Sequence, residues 1–227
     1  MTQQERRYTS VPVEVRAGSE KMMIGGYAAK FERMSQNLGG FVERIAPGAF
    51  NKSRGDGFPG AVARHNHDDN MVLGTIAGGT LRLLVDNVGL MYEADLPQTR
   101  ADVYELVQRG DVRQSSFAFA TTGEGSDEWA TSDQGYPMRT LLDVRLYDVA
   151  SVLSPAYEDT STGVRSSVEG ALESLARHFE ADIAEVRSMA TAGDLTKFFK
   201  RTADVVDKKR SAQAALAAVM NVPPVKL

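Results

Sequence analysis

Near residue 165 the chain changes character, and that change constrains its fold more than any other feature. Before it lie 18 of the 20 glycines, six of the eight prolines, all seven tyrosines and the single tryptophan. After it come Ala, Leu, Val, Glu, Lys and Arg at helical spacing. Glycine and proline punctuate turns, while aromatic and β-branched runs between them favour strands. The sequence therefore predicts a turn-rich β domain over residues 1–165 and a helical extension over residues 166–227.

Strand candidates in the first part are Val11–Val15, Met22–Phe31 with a bulge or bend at Gly25-Gly26, and Phe41–Ile45. Thr80–Val85 and Gly89–Ala94 flank Asp86-Asn87-Val88, a hairpin turn. Ser116–Thr121, Arg139–Tyr147 and Val149–Leu153 complete the series. Many short strands with glycine turns point to a barrel or sandwich. Two helices interrupt it, one starting at Pro47-Gly48-Ala49-Phe50 and one capped by Thr99 and stopped by Gly110. In the tail, Val168, Leu172, Leu175, Phe179, Ile183 and Val186 form one continuous apolar stripe. Asp194 caps a further helix carrying Leu195, Phe198, Phe199, Thr202, Val205 and Val206, and an alanine-rich stretch follows at Ser211–Met220.

Composition narrows the function. With 26 Lys+Arg against 30 Asp+Glu the formal charge is −4, and no long basic run is present. That disfavours sequence-independent nucleic-acid binding, which rests on phosphate neutralisation. The absence of cysteine removes disulfides, thiolate metal sites and a cysteine nucleophile together. No window approaches the ~20 apolar residues of a membrane span, and residues 1–7 have no apolar signal core. The expectation is an intracellular soluble protein with neither nucleic acid nor membrane as partner.

Three segments carry chemistry. The first is Ala63-Arg64-His65-Asn66-His67-Asp68-Asp69-Asn70, which holds two of the three histidines between a strand end and the start of the next. An imidazole there suits a general base near neutral pH. The same residues also read as a solvated loop, or as a metal cluster of His65, His67 and Asp69, although a zinc site would want further imidazoles. The second is Ser115-Ser116 at the start of a strand, where Phe117 and Phe119 share one face and Ser116 and Ala118 the other. A hydroxyl on that second face suits a nucleophile, and equally an ordinary strand serine. In the third, Leu142–Val152, Asp148 is flanked by Tyr147 and Val149. A buried carboxylate there needs a partner such as an imidazole N–H; an acidic residue at a strand edge is the alternative.

In order, Glu43-Arg44-Ile45-Ala46-Pro47-Gly48-Ala49-Phe50, then His67-Asp68 with Leu73-Gly74 six and seven residues on, lead to Thr80-Leu81-Arg82-Leu83, Gly89-Leu90 and Glu93-Ala94. Gly110, Ser116-Phe117-Ala118-Phe119, Asp148-Val149-Ala150-Ser151-Val152 and Pro155-Ala156-Tyr157 follow. This ordered set resembles the caudovirus prohead serine proteases of the HK97 type, whose fold is related to the herpesvirus assemblins. The likeness runs over residues 8–165 and leaves the tail outside.

The resemblance implies a mainly β, α+β fold with interspersed helices: a closed or partly open assemblin-like β-barrel plus the C-terminal helical tail. It implies a serine endopeptidase with no cofactor and no metal. His67 matches the catalytic histidine, Ser116 the nucleophile and Asp148 the orienting acid, with Asp143 and Asp68 as alternatives for the third role. Ala150 departs from the serine usual in the family. Oxyanion donors are sought in the loop after Val152, through Ser154 and Ala156. The implied setting is the assembling procapsid in the bacterial host cytoplasm, with the major capsid protein and scaffold segments as substrates. The tail is expected to dock on scaffold, capsid protein or a second copy and to be open to self-cleavage; packing on the barrel is the alternative. A non-catalytic scaffold or assembly protein with the same fold is the main rival function, and a metal-dependent hydrolase the third.

Overall fold

A computed structural model describes residues 4–16, 21–133, 135–153 and 161–200. The chain begins with β1 (Glu5–Pro12), which passes through Val13 into β2 (Glu14–Val15), and continues with β3 (Met23–Lys30) and β4 (Val42–Ile45). A short helix α1 (Asn51–Gly55) precedes β5 (Val62–His65) and β6 (Val72–Thr75). The hairpin β7 (Leu81–Val85) and β8 (Gly89–Asp95) leads through a 3₁₀ turn to α2 (Ala101–Arg109). Then come β9 (Gln114–Thr121), β10 (Asp127–Thr131), β11 (Pro137–Leu141) and β12 (Val144–Val152), followed by α3 (Ser161–His178) and α4 (Ile183–Thr191). Residues 195–200 are again helical.

The strands form three sheets, in the orders β1-β9-β12-β5-β6, β2-β3-β8-β7 and β10-β11-β4. The architecture is thus mainly β with helices, and the described strands close no barrel. The first two sheets meet at two corners. At one, an irregularity between Thr9 and Pro12 swings β1 into β2, and the Val13 N–H donates to the Arg113 carbonyl. Gly26 of β3 lies so close that a Cβ would stand 2.7 Å from the Pro12 carbonyl oxygen. The irregularity in β3 itself falls between Tyr27 and Ala29, not at Gly25-Gly26, where the glycines serve close approach. At the other corner a tight turn, with the Thr80 N–H on the Thr75 carbonyl, sends β6 and β7 into different sheets.

The main core lies between these sheets. Phe117 and Phe119 stack with centroids 5.1 Å apart, and Phe50 meets Phe117 edge-on. Each is fully buried, worth about 1.5–3 kcal/mol apiece. A second cluster joins α3 and α4 to Phe41 and Trp129, and the Trp129 indole N–H donates to Ser174 Oγ at 3.0 Å.

Several expectations are corrected. Thr99 caps nothing: it lies inside the 3₁₀ turn, and Arg100 stands at the N-cap of α2 without a side-chain bond. Gly110 does stop that helix, in the left-handed conformation at φ 79°. The expected continuous tail stripe is broken, because Glu180 adopts φ 51° and the Asp182 carboxylate caps α4 by accepting from the Ala184 N–H. Thr202, Val205, Val206 and the stretch from Ser211 to Met220 lie outside the described residues.

One feature of β1 runs against hydrophobic patterning. Its inward side chains are Glu5 and Arg7, and both are buried. Arg7 donates to both Glu43 oxygens and to Glu5; Arg139 of β11 donates to Glu5, Glu43 and Asp127. The cluster ties β1 to β4, β10 and β11. Burial alone would raise the Glu5 pKa, but the Arg139 and Arg7 guanidiniums outweigh it and hold the carboxyl below its ordinary value. Helix α3 covers the cluster at Gly170, where a Cβ would stand 2.5 Å from Glu5 Oε1.

Candidate active site

The five-stranded sheet presents two chemically different rows side by side. Register places Tyr8, Ser116, Ala150 and Arg64 in one row across β1, β9, β12 and β5. Ser115, Ser151 and His65 form the neighbouring row, and alternation turns them to the opposite face. Ser115 bonds the buried Tyr92 hydroxyl at 3.2 Å. Of the two adjacent serines, Ser116 is therefore the one on the Arg64 face.

After β5 the chain turns through two consecutive left-handed residues, Asn66 at φ 55° and His67 at φ 57°. Such conformations cost about 1–3 kcal/mol each outside glycine, less for asparagine, and persist only where neighbours over-determine them. Here the Asn66 N–H donates to the Ser151 carbonyl at 2.9 Å and the Leu153 N–H to Asn66 Oδ1 at 3.2 Å. The turn folds His67 back over the face that carries Ser116. On β12 an irregularity between Leu146 and Asp148 performs the matching operation: Leu146 pairs with Phe119 but Asp148 pairs with Ala118. The extra residue re-aims Asp148 onto the Ser116 face.

These two devices bring the predicted residues together. His67 Nδ1 lies 2.6 Å from Asp148 Oδ1, and His67 Nε2 lies 2.6 Å from Ser116 Oγ. Ser116 and Asp148 are fully buried and His67 nearly so. A buried carboxylate on Nδ1 demands an N–H there, which leaves Nε2 of the neutral ring with its lone pair toward the serine. The Ser116 hydroxyl also reaches the Arg7 carbonyl at 2.8 Å. Its single proton thus stands between two acceptors, a backbone oxygen and an imidazole nitrogen. This constellation can move a proton from serine to histidine while the carboxylate holds the ring.

The other candidates sit elsewhere. Asp143 accepts from Thr122 Oγ1, and Asp68 accepts from the Asn70 backbone N–H; neither has a hydrogen bond or ion pair with His67 among the described residues. His65 faces away: its Nδ1 lies 3.1 Å from Ser151 Oγ, and its Nε2 is met by Asn66 Nδ2 at 3.0 Å. Burial pushes the His65 imidazole below its ordinary pKa, with a hydrogen bond to the Ser151 backbone and the Asp102 carboxylate pulling the other way. Asp69 pairs with Arg64 at 2.9 Å. Among the described residues no group of three or more His, Cys, Asp or Glu is placed to hold a metal ion. Ser154 and Ala156 lie outside the described residues.

Sequence reasoning passed over three residues. Arg64 donates to Asp148 Oδ2 at 2.8 Å; it was visible as the charge three positions before His67. Asn66 holds the turn, and its type, favoured in left-handed turns, was the available signal. Tyr8 sets its ring edge against His67 with centroids 6.2 Å apart, and nothing in its local sequence pointed there.

A family model described as caudovirus prohead serine protease matches residues 10–173, a span that takes in His67, Ser116 and Asp148. No curated protein and no solved structure matches the chain.

Proposed function

The chain belongs to the caudovirus prohead serine protease family, and we propose that it is a serine endopeptidase with Ser116 as nucleophile, His67 as general base and Asp148 as the group that orients the imidazole. The observation that carries this reading is the pair of 2.6 Å contacts on the two nitrogens of His67. The Ser116 hydroxyl leaves the Arg7 carbonyl, gives its proton to Nε2 and bonds its oxygen to the scissile carbonyl carbon. The imidazolium, held by Asp148, then gives that proton to the leaving amine as the C–N bond breaks. Water, deprotonated by the same imidazole, cleaves the resulting acyl-enzyme and restores the serine. No cofactor enters the cycle.

Family membership sets the work of the protein at the phage prohead, within the host cell. Its substrates, on this reading, are segments of the major capsid protein or scaffold, and its own chain. Residues 1–165 act as the protease domain, and residues 166–227 as an extension that docks the enzyme on scaffold, capsid protein or a second copy inside the assembling procapsid. The two sheets that share the β1–β2 corner are taken as halves of a partly open, assemblin-like barrel. The test is co-expression of the full chain with its cognate capsid protein, wild type against Ser116→Ala. Wild type should shorten the capsid protein and Ser116→Ala should leave it intact. Processing by the alanine variant would overturn the nucleophile, and correct assembly with no processing by wild type would favour a non-catalytic assembly protein.

A further inference from the structure

We propose that Arg64 is a positioning residue, which fixes the plane of the Asp148 carboxylate so that one oxygen is committed to His67; this rests on the catalytic reading above. Asp148 is fully buried and has two oxygens to satisfy. Oδ1 takes the His67 Nδ1–H and Oδ2 takes Arg64 Nη1 at 2.8 Å. Each oxygen then has its own charge-assisted or strongly polarised donor, which prevents the carboxylate from rotating to offer either oxygen to either donor. A carboxylate free to turn would hold the imidazole in one tautomer only part of the time.

The guanidinium is suited to this because it is a planar fork whose buried arm carries the contact to Asp148. Its Nη1 reaches Asp148 and its Nη2 lies 2.9 Å from Asp69 Oδ1. The Asp69 end is exposed and contributes little; the Asp148 end is buried, where an unpaired carboxylate is costly. Register explains how Arg64 gets there. It sits beside Ala150 on the row that carries Ser116, two positions along β5 from Val62, the register partner of Asp148. A lysine ammonium would supply the charge without the flat fork.

The experiment uses the full chain and two readouts. The first is the rate of capsid-protein processing in the co-expression system. The second is the low-field proton NMR resonance of the His67 Nδ1–H in purified protein, assigned by its loss in Asp148→Asn. Arg64→Met is expected to slow processing about 10–100-fold, by analogy with the loss when the outer partner of a metal-bound histidine is removed. In the folded protein it should move the low-field resonance upfield and broaden it. Arg64→Lys should recover part of both, and Asp69→Asn should stay within about threefold of wild type. Should Arg64→Met fail to fold, the resonance in Arg64→Lys decides, since a small displacement is still expected there. An unchanged resonance in folded Arg64 variants, whatever the processing rate, overturns the proposal and leaves a purely structural ion pair. Processing by Ser116→Ala would instead overturn the catalytic reading on which it rests, so the two failures are distinct.

Discussion

Two histidine–serine pairs lie on opposite faces of one sheet, and a single residue of sequence, Asn66, separates their histidines. On the core-side row, His65 Nδ1 meets Ser151 Oγ at 3.1 Å; on the other, His67 Nε2 meets Ser116 Oγ at 2.6 Å. What differs is the group on the second nitrogen. Asn66 Oδ1 accepts from the Leu153 N–H, so its amide Nδ2 faces His65 Nε2 and donates to it. That fixes the His65 proton on Nδ1, aimed at the serine. Asp148 accepts from His67 Nδ1 and fixes the opposite tautomer, with a lone pair aimed at the serine. An imidazole beside a hydroxyl is therefore not a base by proximity; the third group decides which way the proton points.

The largest expected effect comes from breaking the second pair. Ser116→Ala, or His67→Ala, should reduce capsid-protein processing by at least ~10⁴-fold, and Asp148→Asn by about the same factor because it releases the wrong tautomer. The counterparts Ser151→Ala and His65→Gln should leave processing by the folded protein within an order of magnitude. Equal losses from the two histidines, measured at matched soluble protein levels, would mean that the contrast between the pairs carries no chemistry.

How much of this contrast the sequence displayed depends on what a local pattern can register. The hairpin of β7 and β8, the Phe-Ala-Phe strand and the stop at Gly110 were legible because each is written in neighbouring residues. The helical character of residues 161–178 was legible as composition. By contrast the sequence pattern starts the first strand at Val11, since the inward residues of β1, Glu5 and Arg7, are charged. Their partners Glu43 and Arg139 lie 36 to 134 residues away, and no window sees that distance. The separation of His65 from His67 was invisible for a similar reason. In a regular strand both would share a face, and it is the left-handed pair Asn66-His67 that divides them. On β12 the irregularity before Asp148 likewise overrides the parity of the letters. Ordered landmarks of the family singled out His67; periodicity alone did not.

Asn66 tests that division directly, because it serves both pairs. Asn66→Ala removes its bonds to His65 and to the Leu153 N–H and leaves alanine in a left-handed turn. The expected cost is about 1–3 kcal/mol of stability, read by denaturant unfolding, with a fall in processing as His67 loses its support. Asn66→Gly sharpens the result: glycine accepts the backbone conformation, so it should regain the turn without the side-chain bonds. If glycine restores wild-type stability, the amide bonds to His65 and Leu153 contribute nothing measurable, and the tautomer assignment for His65 loses its basis.

The smallest effect is a pH dependence confined to His65. Burial lowers its folded pKa below the value of 6.5 expected of the unfolded chain. Between those two values the unfolded imidazole is protonated and the folded one is not, so unfolding takes up a proton and acid favours it. The stability that neutral His65 contributes is whole above pH ~6.5 and declines as pH falls toward the lowered value, with a slope of at most about 1.4 kcal/mol per pH unit. His65→Gln keeps a donor for Ser151 and an acceptor for Asn66 but cannot titrate. Unfolding free energies of wild type and His65→Gln, measured from pH 7.5 to 5, should therefore run parallel above the upper limit and converge below it. Parallel curves across the whole range would show that His65 ionises alike in both states, and that its burial among Ser151 and Asn66 does not separate it from an ordinary surface imidazole.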